Sequence, residues 1–162
     1  MNEALTPFQR DLLDEAVRQA VKSLEEGGIP IGSAIGSESV GIVGAGHNRR
    51  VQTGDTTAHA EIEAFRDAGR RDDWPALTLA STLSPCVMCT GATLLHRVGT
   101  VIIGEHETFM GAEDLMRAHG VRLILADDRR CIELMERFID QRPELWNEDI
   151  GMPGALGTEG RS

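Results

Sequence analysis

The chain has 162 residues, enough for one domain with a sizeable core, and a formal charge of −10 from 26 acidic and 16 basic residues. That balance argues against a nucleic-acid partner, whose phosphates need a cationic face, and no apolar run is long enough to span a bilayer. The three cysteines, an odd number, argue against a disulfide framework and for a reducing cytoplasm.

Taken in chain order, the opening stretch MNEALTPFQRDLLDEAV alternates charge and apolar residues and reads as a helix of the mature protein, not a leader. Thr6 caps that helix and Pro7 opens it. Leu12, Leu13, Ala16, Val17, Ala20, Val21 and Leu24 share one face, and Gly27-Gly28 stops it. Ile31 to Ile35 and Val40 to Val43 read as short strands joined by a hairpin turn at Ser37 to Ser39. Arg49-Arg50, like Arg70-Arg71 and Arg129-Arg130, reads as a solvated loop or helix end. Thr56-Thr57 can cap a second helix from about His59 to Ala68.

A strand-like run follows within Pro75 to Thr82, and Ser84-Pro85 starts a helix over Cys86 to Arg97. Val98 to Ile103 is a buried strand. Ala112 to His119 is a short helix closed by Gly120, and Val121 to Leu125 is another strand. Asp127 or Asp128 caps a helix from about Arg129 to Gln141, and Pro143 opens a last helical stretch through Trp146. The pattern predicts an α/β fold: three layers, α/β/α, around a central mixed sheet of five strands. The domain spans residues 1–150, and the Gly-rich 151–162 reads as a mobile tail.

Two segments carry chemistry: Ala58-His59-Ala60-Glu61 and Ser84-Pro85-Cys86-Val87-Met88-Cys89. Cys86 and Cys89, three apart at a helix start, put both sulfurs on one side, where the dipole and free amides favour thiolates. A lone C-x-x-C also fits a redox pair or half of a structural zinc site. No second C-x-x-C completes the latter, and Cys131 reads as a buried small hydrophobe. His59 supplies a third ligand. His59, Cys86 and Cys89 then form a three-ligand zinc set with the fourth position left to water, the catalytic arrangement.

Glu61 would be the proton carrier, not a ligand. On an ideal helix, however, residues two apart point about 200° away from each other. His59 must therefore lie in an irregular first turn. A Glu on a helix is ordinarily a solvated carboxylate, and Glu63 is read that way.

The combination H-x-E with a later P-C-x-x-C is a signature of zinc base deaminases. With it the chain resembles the cytidine-deaminase superfamily, and within it the yeast-type cytosine deaminase branch. The likeness runs through Gly27-Gly28-Ile29-Pro30-Ile31-Gly32, Gly46-His47-Asn48, Thr82-Leu83-Ser84-Pro85-Cys86 and Met88-Cys89-Thr90-Gly91-Ala92. It continues through Gly104-Glu105, Phe109, Phe138-Ile139-Asp140, Arg142-Pro143, Trp146 and Glu148-Asp149-Ile150-Gly151.

The resemblance implies one catalytic Zn2+ per chain and hydrolysis of cytosine to uracil and ammonia in a cytoplasmic homodimer serving pyrimidine salvage. It implies that Asn48 and the Ala60 amide hold the base's oxygen. The Ser84 carbonyl and Asp149 would accept its amino hydrogens, and Phe109 and Trp146 would wall and close the pocket. Two positions depart from the pattern: Val87 replaces an acid, and Asn147 replaces an aromatic, which would enlarge or wet the lid. A 5-substituted cytosine, isocytosine, an aminotriazine or guanine is therefore an alternative substrate. A non-catalytic zinc domain for protein binding is the alternative of another class.

Overall fold

The computed structural model describes residues 3–152. Helix α1 (Pro7–Glu25) begins at Thr6, whose hydroxyl accepts from the Gln9 amide while the Gln9 side chain accepts from the Thr6 amide. This is a closed capping box. Gly27, at φ +84°, turns the chain out of the helix. Val21 is 37% exposed, so the apolar face of α1 is narrower than the sequence suggests. Buried Ser23 takes the next place on it.

The five strands are β1 (Gly32–Ser37), β2 (Gly41–His47), β3 (Thr78–Leu83), β4 (Thr100–Glu105) and β5 (Arg122–Leu125). Their order is β2-β1-β3-β4-β5. β1 runs antiparallel to both neighbours, and β3, β4 and β5 are parallel. The expected mixed sheet of five strands is present. β2 extends to His47, four residues past the expected end.

Alternation along each strand divides the core into two layers. Ala34, Ala80 and Ile102 face α1 and pack with Leu12, Leu13, Ala16 and Ile124. Ile35, Leu79, Val101 and Ile103 face the opposite side and pack with Phe65, Trp74 and Met116. The helices on that second side are α3 (Ala60–Ala68) and α4 (Val87–His96), with α5 (Glu113–Ala118) beside β5.

Helix α6 (Arg129–Gln141) packs against β4 and α1, and α7 (Pro143–Asp149) packs against α6. Asp128 caps α6, accepting from the Arg130 amide at 2.9 Å. A four-residue helix, α2 (Arg50–Thr53), and a 3-10 turn over Trp74–Ala76 were not expected. Residues 153–162 of the Gly-rich tail lie outside the described residues.

Candidate active site

One edge of the sheet collects the chain's chemistry. β2 and β3 both end there, because each runs opposite to β1 between them. Ligands bind beyond strand C-termini in such sheets because the loops diverge there and leave a crevice. The crevice here is a cleft of about 450 Å3.

His59 and Cys86 each hold the N-cap position of a helix, α3 and α4 respectively. Both backbones are extended there, with ψ 156° and 174°. This is the irregular first turn that the His59-x-Glu61 spacing demands. Cys89 lies one turn into α4 and is fully buried. The ligand atoms of His59, Cys86 and Cys89 all lie within 4.8 Å of one another. His59 Nδ1 is 3.5 Å from Cys86 Sγ. Zn–S and Zn–N bond lengths at a tetrahedral angle put those two atoms about 3.5 Å apart, so the donor set fits zinc. Among the described residues no fourth ligand atom joins the group. Cys131 instead packs on the sheet at Gly104 and is buried.

The Cys86 thiol is lowered to about 4, because Cys89 donates a hydrogen bond to it, with burial opposing and His59 and the Cys89 amide assisting. Cys89 is pushed up, first by donating to Cys86 and then by burial. Burial opposes charge on His59, yet the Cys86 hydrogen bond and the Glu61, Cys86 and Asp149 charges together raise its pKa. Imidazole Nε2 faces Asp149 Oδ1 at 3.5 Å. A carboxylate behind a metal-ligating His fixes its tautomer and ring orientation.

Glu61 is 4% exposed and lines the cleft. Its Oε1 accepts from Ser81 Oγ at 3.0 Å. Burial raises its pKa, and the Cys86 thiolate adds to the rise while His59 works against it. A carboxyl raised in this way holds and releases a proton nearer neutral pH.

Asn48, Ser84, Phe109, Trp146 and Asp149 line the same cleft. Asn48 is fully buried, and three of its four polar groups are satisfied. Its amide donates to Ile31, its carbonyl accepts from Ser23 Oγ, and its Oδ1 accepts from the Arg50 amide. Nδ2 has no partner among the described residues. The Ser84 hydroxyl is committed: it donates to Glu113 Oε1 at 2.8 Å and accepts from the Gly111 amide at 3.0 Å. Phe109 meets Trp146 edge to face, with ring centroids 5.9 Å apart.

The Ala60 methyl does not line the cleft. It is buried among Ile29, Ile31, Leu83 and Met135. The Ala60 amide opens α3 and so has no acceptor within the helix. Asn147 is half-buried and outside the cleft lining, to which Ile150 contributes. Val87 stands at the rim, 70% exposed.

Three sequence expectations fail. Thr56-Thr57 does not cap α3, because His59 takes that position. Glu63 is not freely solvated: its side chain is 16% exposed and pairs with Arg66. Arg50 is not a solvated loop residue, since its side chain is 10% exposed and forks onto Glu148 and Asp149. Nothing near Arg50 in the sequence announces partners so far along the chain.

The loop that carries Phe109 is held by two buried carboxylates, Glu105 and Glu113. Glu105, fully buried, accepts from the Thr108 amide and hydroxyl. Burial opposes charge on Glu113, but Ser84 and His106 hold its carboxyl below the usual range.

A sheet edge bearing three metal ligands, an open coordination position and a buried carboxyl defines a zinc-dependent hydrolase. Residues 7–105 match the family described as "Cytidine and deoxycytidylate deaminase zinc-binding region". The chain belongs to this family of zinc-dependent deaminases. It is 45% identical over 141 residues to a cytosine deaminase of Candida albicans, covering 86% of this chain and 94% of that protein. It is 36% identical over 150 residues to a tRNA-specific adenosine deaminase of Streptococcus pyogenes, covering 84% and 92%. Its fold matches guanine deaminase from Nitrosomonas europaea with a TM-score of 0.64 at 22% identity, covering 84% and 87%.

Proposed function

We propose that the protein hydrolyses cytosine to uracil and ammonia, taking the free base as substrate. The observation that carries this reading is Asn48 Nδ2, a buried donor with no acceptor among the described residues, on the wall of a cleft that also holds the zinc ligands. An unpaired buried amide costs about 1–3 kcal/mol, so a substrate carbonyl is its natural partner. Cytosine offers that carbonyl at C2. The similarity to the Candida albicans cytosine deaminase, end to end, supports the same base.

The chain's own groups divide the work. Asn48 and the Ala60 amide hold the C2 oxygen. The Ser84 carbonyl and the Asp149 carboxylate accept the hydrogens of the amino group at C4. Phe109 and Trp146 stack on the ring and exclude water. His59, Cys86 and Cys89 would hold zinc, which when bound would lower the pKa of a water toward ~7. Glu61 takes a proton from the attacking water, delivers it to N3, and passes a second to the leaving amino group. Water adds its oxygen to C4, the C4–N bond breaks, ammonia leaves and uracil remains.

The test is ammonia release from a panel of free bases with zinc-loaded protein: cytosine, 5-methylcytosine, isocytosine, an aminotriazine and guanine. Fastest turnover of cytosine supports the assignment, and guanine turned over in its place overturns it. The net charge of −10 disfavours a tRNA substrate.

The same reading covers assembly and setting. The outward face of α4 carries Val87, Gly91 and Leu95, with Leu95 80% exposed, and Met110 nearby is 60% exposed. An apolar patch of this kind supports a homodimer, which Leu95→Asp should dissociate in light scattering. No helix among the described residues is long and apolar enough to cross a membrane. The free thiols of Cys86 and Cys89 suit a reducing cytoplasm, where the product would enter pyrimidine salvage. On this reading residues 1–150 are the single deaminase domain, and 151–162 a Gly-rich tail.

A further inference from the structure

Two polar groups of the cleft come from distant segments: Asn48 follows β2, and Asp149 ends α7. One residue touches both. The Arg50 amide donates to Asn48 Oδ1 at 3.1 Å, which leaves the Asn48 amino group as the unpaired end. The Arg50 guanidinium donates through Nη1 to Asp149 Oδ1 at 2.7 Å and through Nη2 to Glu148 Oε1 at 3.1 Å. Its side chain is 10% exposed and that of Asp149 is 6% exposed. A buried cation is costly unless paired, and here both prongs of the planar fork are used. Among the described residues, the other ionic contacts of α7 are His59 to Asp149, and Arg142 to Glu144 at the helix's own start.

We propose that Arg50 is a positioning residue: its guanidinium fork latches α7 against the cleft and aims the Asp149 carboxylate at the bound base. The aiming half rests on the function proposed above; the latch does not. Helix α7 has only seven residues, too short to be stable alone, so its place depends on such contacts. It carries Trp146, which makes the latch also the hold on the aromatic wall. Arg50 touches neither Glu61 nor a metal ligand. Its loss should therefore fall first on base binding and on α7, reaching zinc only indirectly, through the Asp149 contact to His59.

The test compares R50M, R50K and E148A as full-length zinc-loaded chains. R50M removes the fork and keeps the backbone amide that holds Asn48. Hydrogen exchange of residues 143–152 without substrate should speed up at least about tenfold in R50M, from the loss of two charge-assisted hydrogen bonds. E148A should show a smaller rise, and R50K a value between R50M and the parent. One zinc per chain should remain, and KM for the base should rise about tenfold or more while kcat changes less. Unchanged exchange over 143–152 in R50M overturns the latch, as does a uniform rise across α1 and the sheet. If R50M does not fold, unchanged exchange in both E148A and R50K overturns it. If no free base is turned over, the functional reading fails while the exchange result still decides the latch.

Discussion

Replacing Glu61 by Gln separates proton transfer from everything else the site does. Gln keeps the volume of the side chain and an oxygen for Ser81 Oγ, which lies 3.0 Å away in the parent. Glu61 is outside the set of metal-ligating atoms, so zinc binding should survive. What is lost is a carboxyl that can carry a proton, at a site only 4% exposed where no solvent group can substitute. Positioned general acid–base catalysis contributes about 10²–10⁴-fold, or about 3–5 kcal/mol of barrier. The expected result is one zinc per chain by elemental analysis, an unfolding midpoint close to that of the parent, and kcat for ammonia release down by that factor. Turnover within tenfold of the parent would refute the role. Loss of the metal would refute the ligand set, because Glu61 would then be holding the ion.

Three further outcomes follow from other parts of the molecule. Asn48→Ala removes a donor with no protein partner and leaves only the Arg50 amide bereft, so stability should fall by about 1 kcal/mol. KM for the base should rise about tenfold or more, and an unchanged KM in a steady-state assay would remove Asn48 from the binding wall. In Gly111→Ala the new Cβ would lie 1.8 Å from the Pro85 carbonyl oxygen, a backbone atom that cannot swing aside. Overpacking of this kind costs about 1–3 kcal/mol, and the loop bearing Phe109 should shift, which denaturant melts and KM together will register.

The last outcome concerns Asp128, whose carboxyl is held below its ordinary value of 3.8, first by the Arg130 side chain, with burial opposing. Because the folded pKa is lowered, its stabilisation is present above the unfolded pKa and is lost as pH falls through the folded one. Asp128→Asn keeps the α6 cap and loses the charge. The variant should be less stable by under about 1 kcal/mol at pH 7, with the gap in urea midpoint narrowing from pH 5 toward pH 3.

The parts of this molecule legible in the sequence are those set by neighbours along the chain. Thr6-Pro7 and Asp128 fix helix starts through bonds spanning two or three residues, and both stand where expected. The zinc set was legible because ligand chemistry restricts residue types so severely that His59, Cys86 and Cys89 identify one another across the sequence. Its demand for an irregular turn at His59 was met by an N-cap backbone, not by distortion within α3. Arg50, Glu113 and Ser81 were not legible. Each is an ordinary polar residue whose meaning comes from a partner 20 or more residues away: Ser81 to Glu61, Ser84 to Glu113, Arg50 to Asp149. Within α7, Trp146 and Asp149 line the cleft, while the helical turn places Asn147 and Glu148 off that face.

The physical case for a binding site does not depend on any single motif, because the fold gives up stability at several points that converge. His59 and Cys86 occupy helix N-caps where neither side chain makes a capping hydrogen bond. Ser, Thr or Asp there would stabilise each helix by about 0.5–2 kcal/mol. Glu61 is buried against its own tendency to ionise. Two buried side-chain polar atoms lack partners among the described residues, Asn48 Nδ2 and Gln52 Oε1, and the one on the cleft wall is a donor. Gln52 is accounted for by its amide nitrogen, which contacts Ser23, Glu26 and the Asn48 carbonyl and so holds Asn48 in place. On the function proposed, the unfilled caps would face a metal, the raised carboxyl a proton, and the orphan donor a carbonyl. Together they describe one small, planar, oxygen-bearing substrate held against a zinc ion, the least assumption under which each of these local costs has a compensating contact.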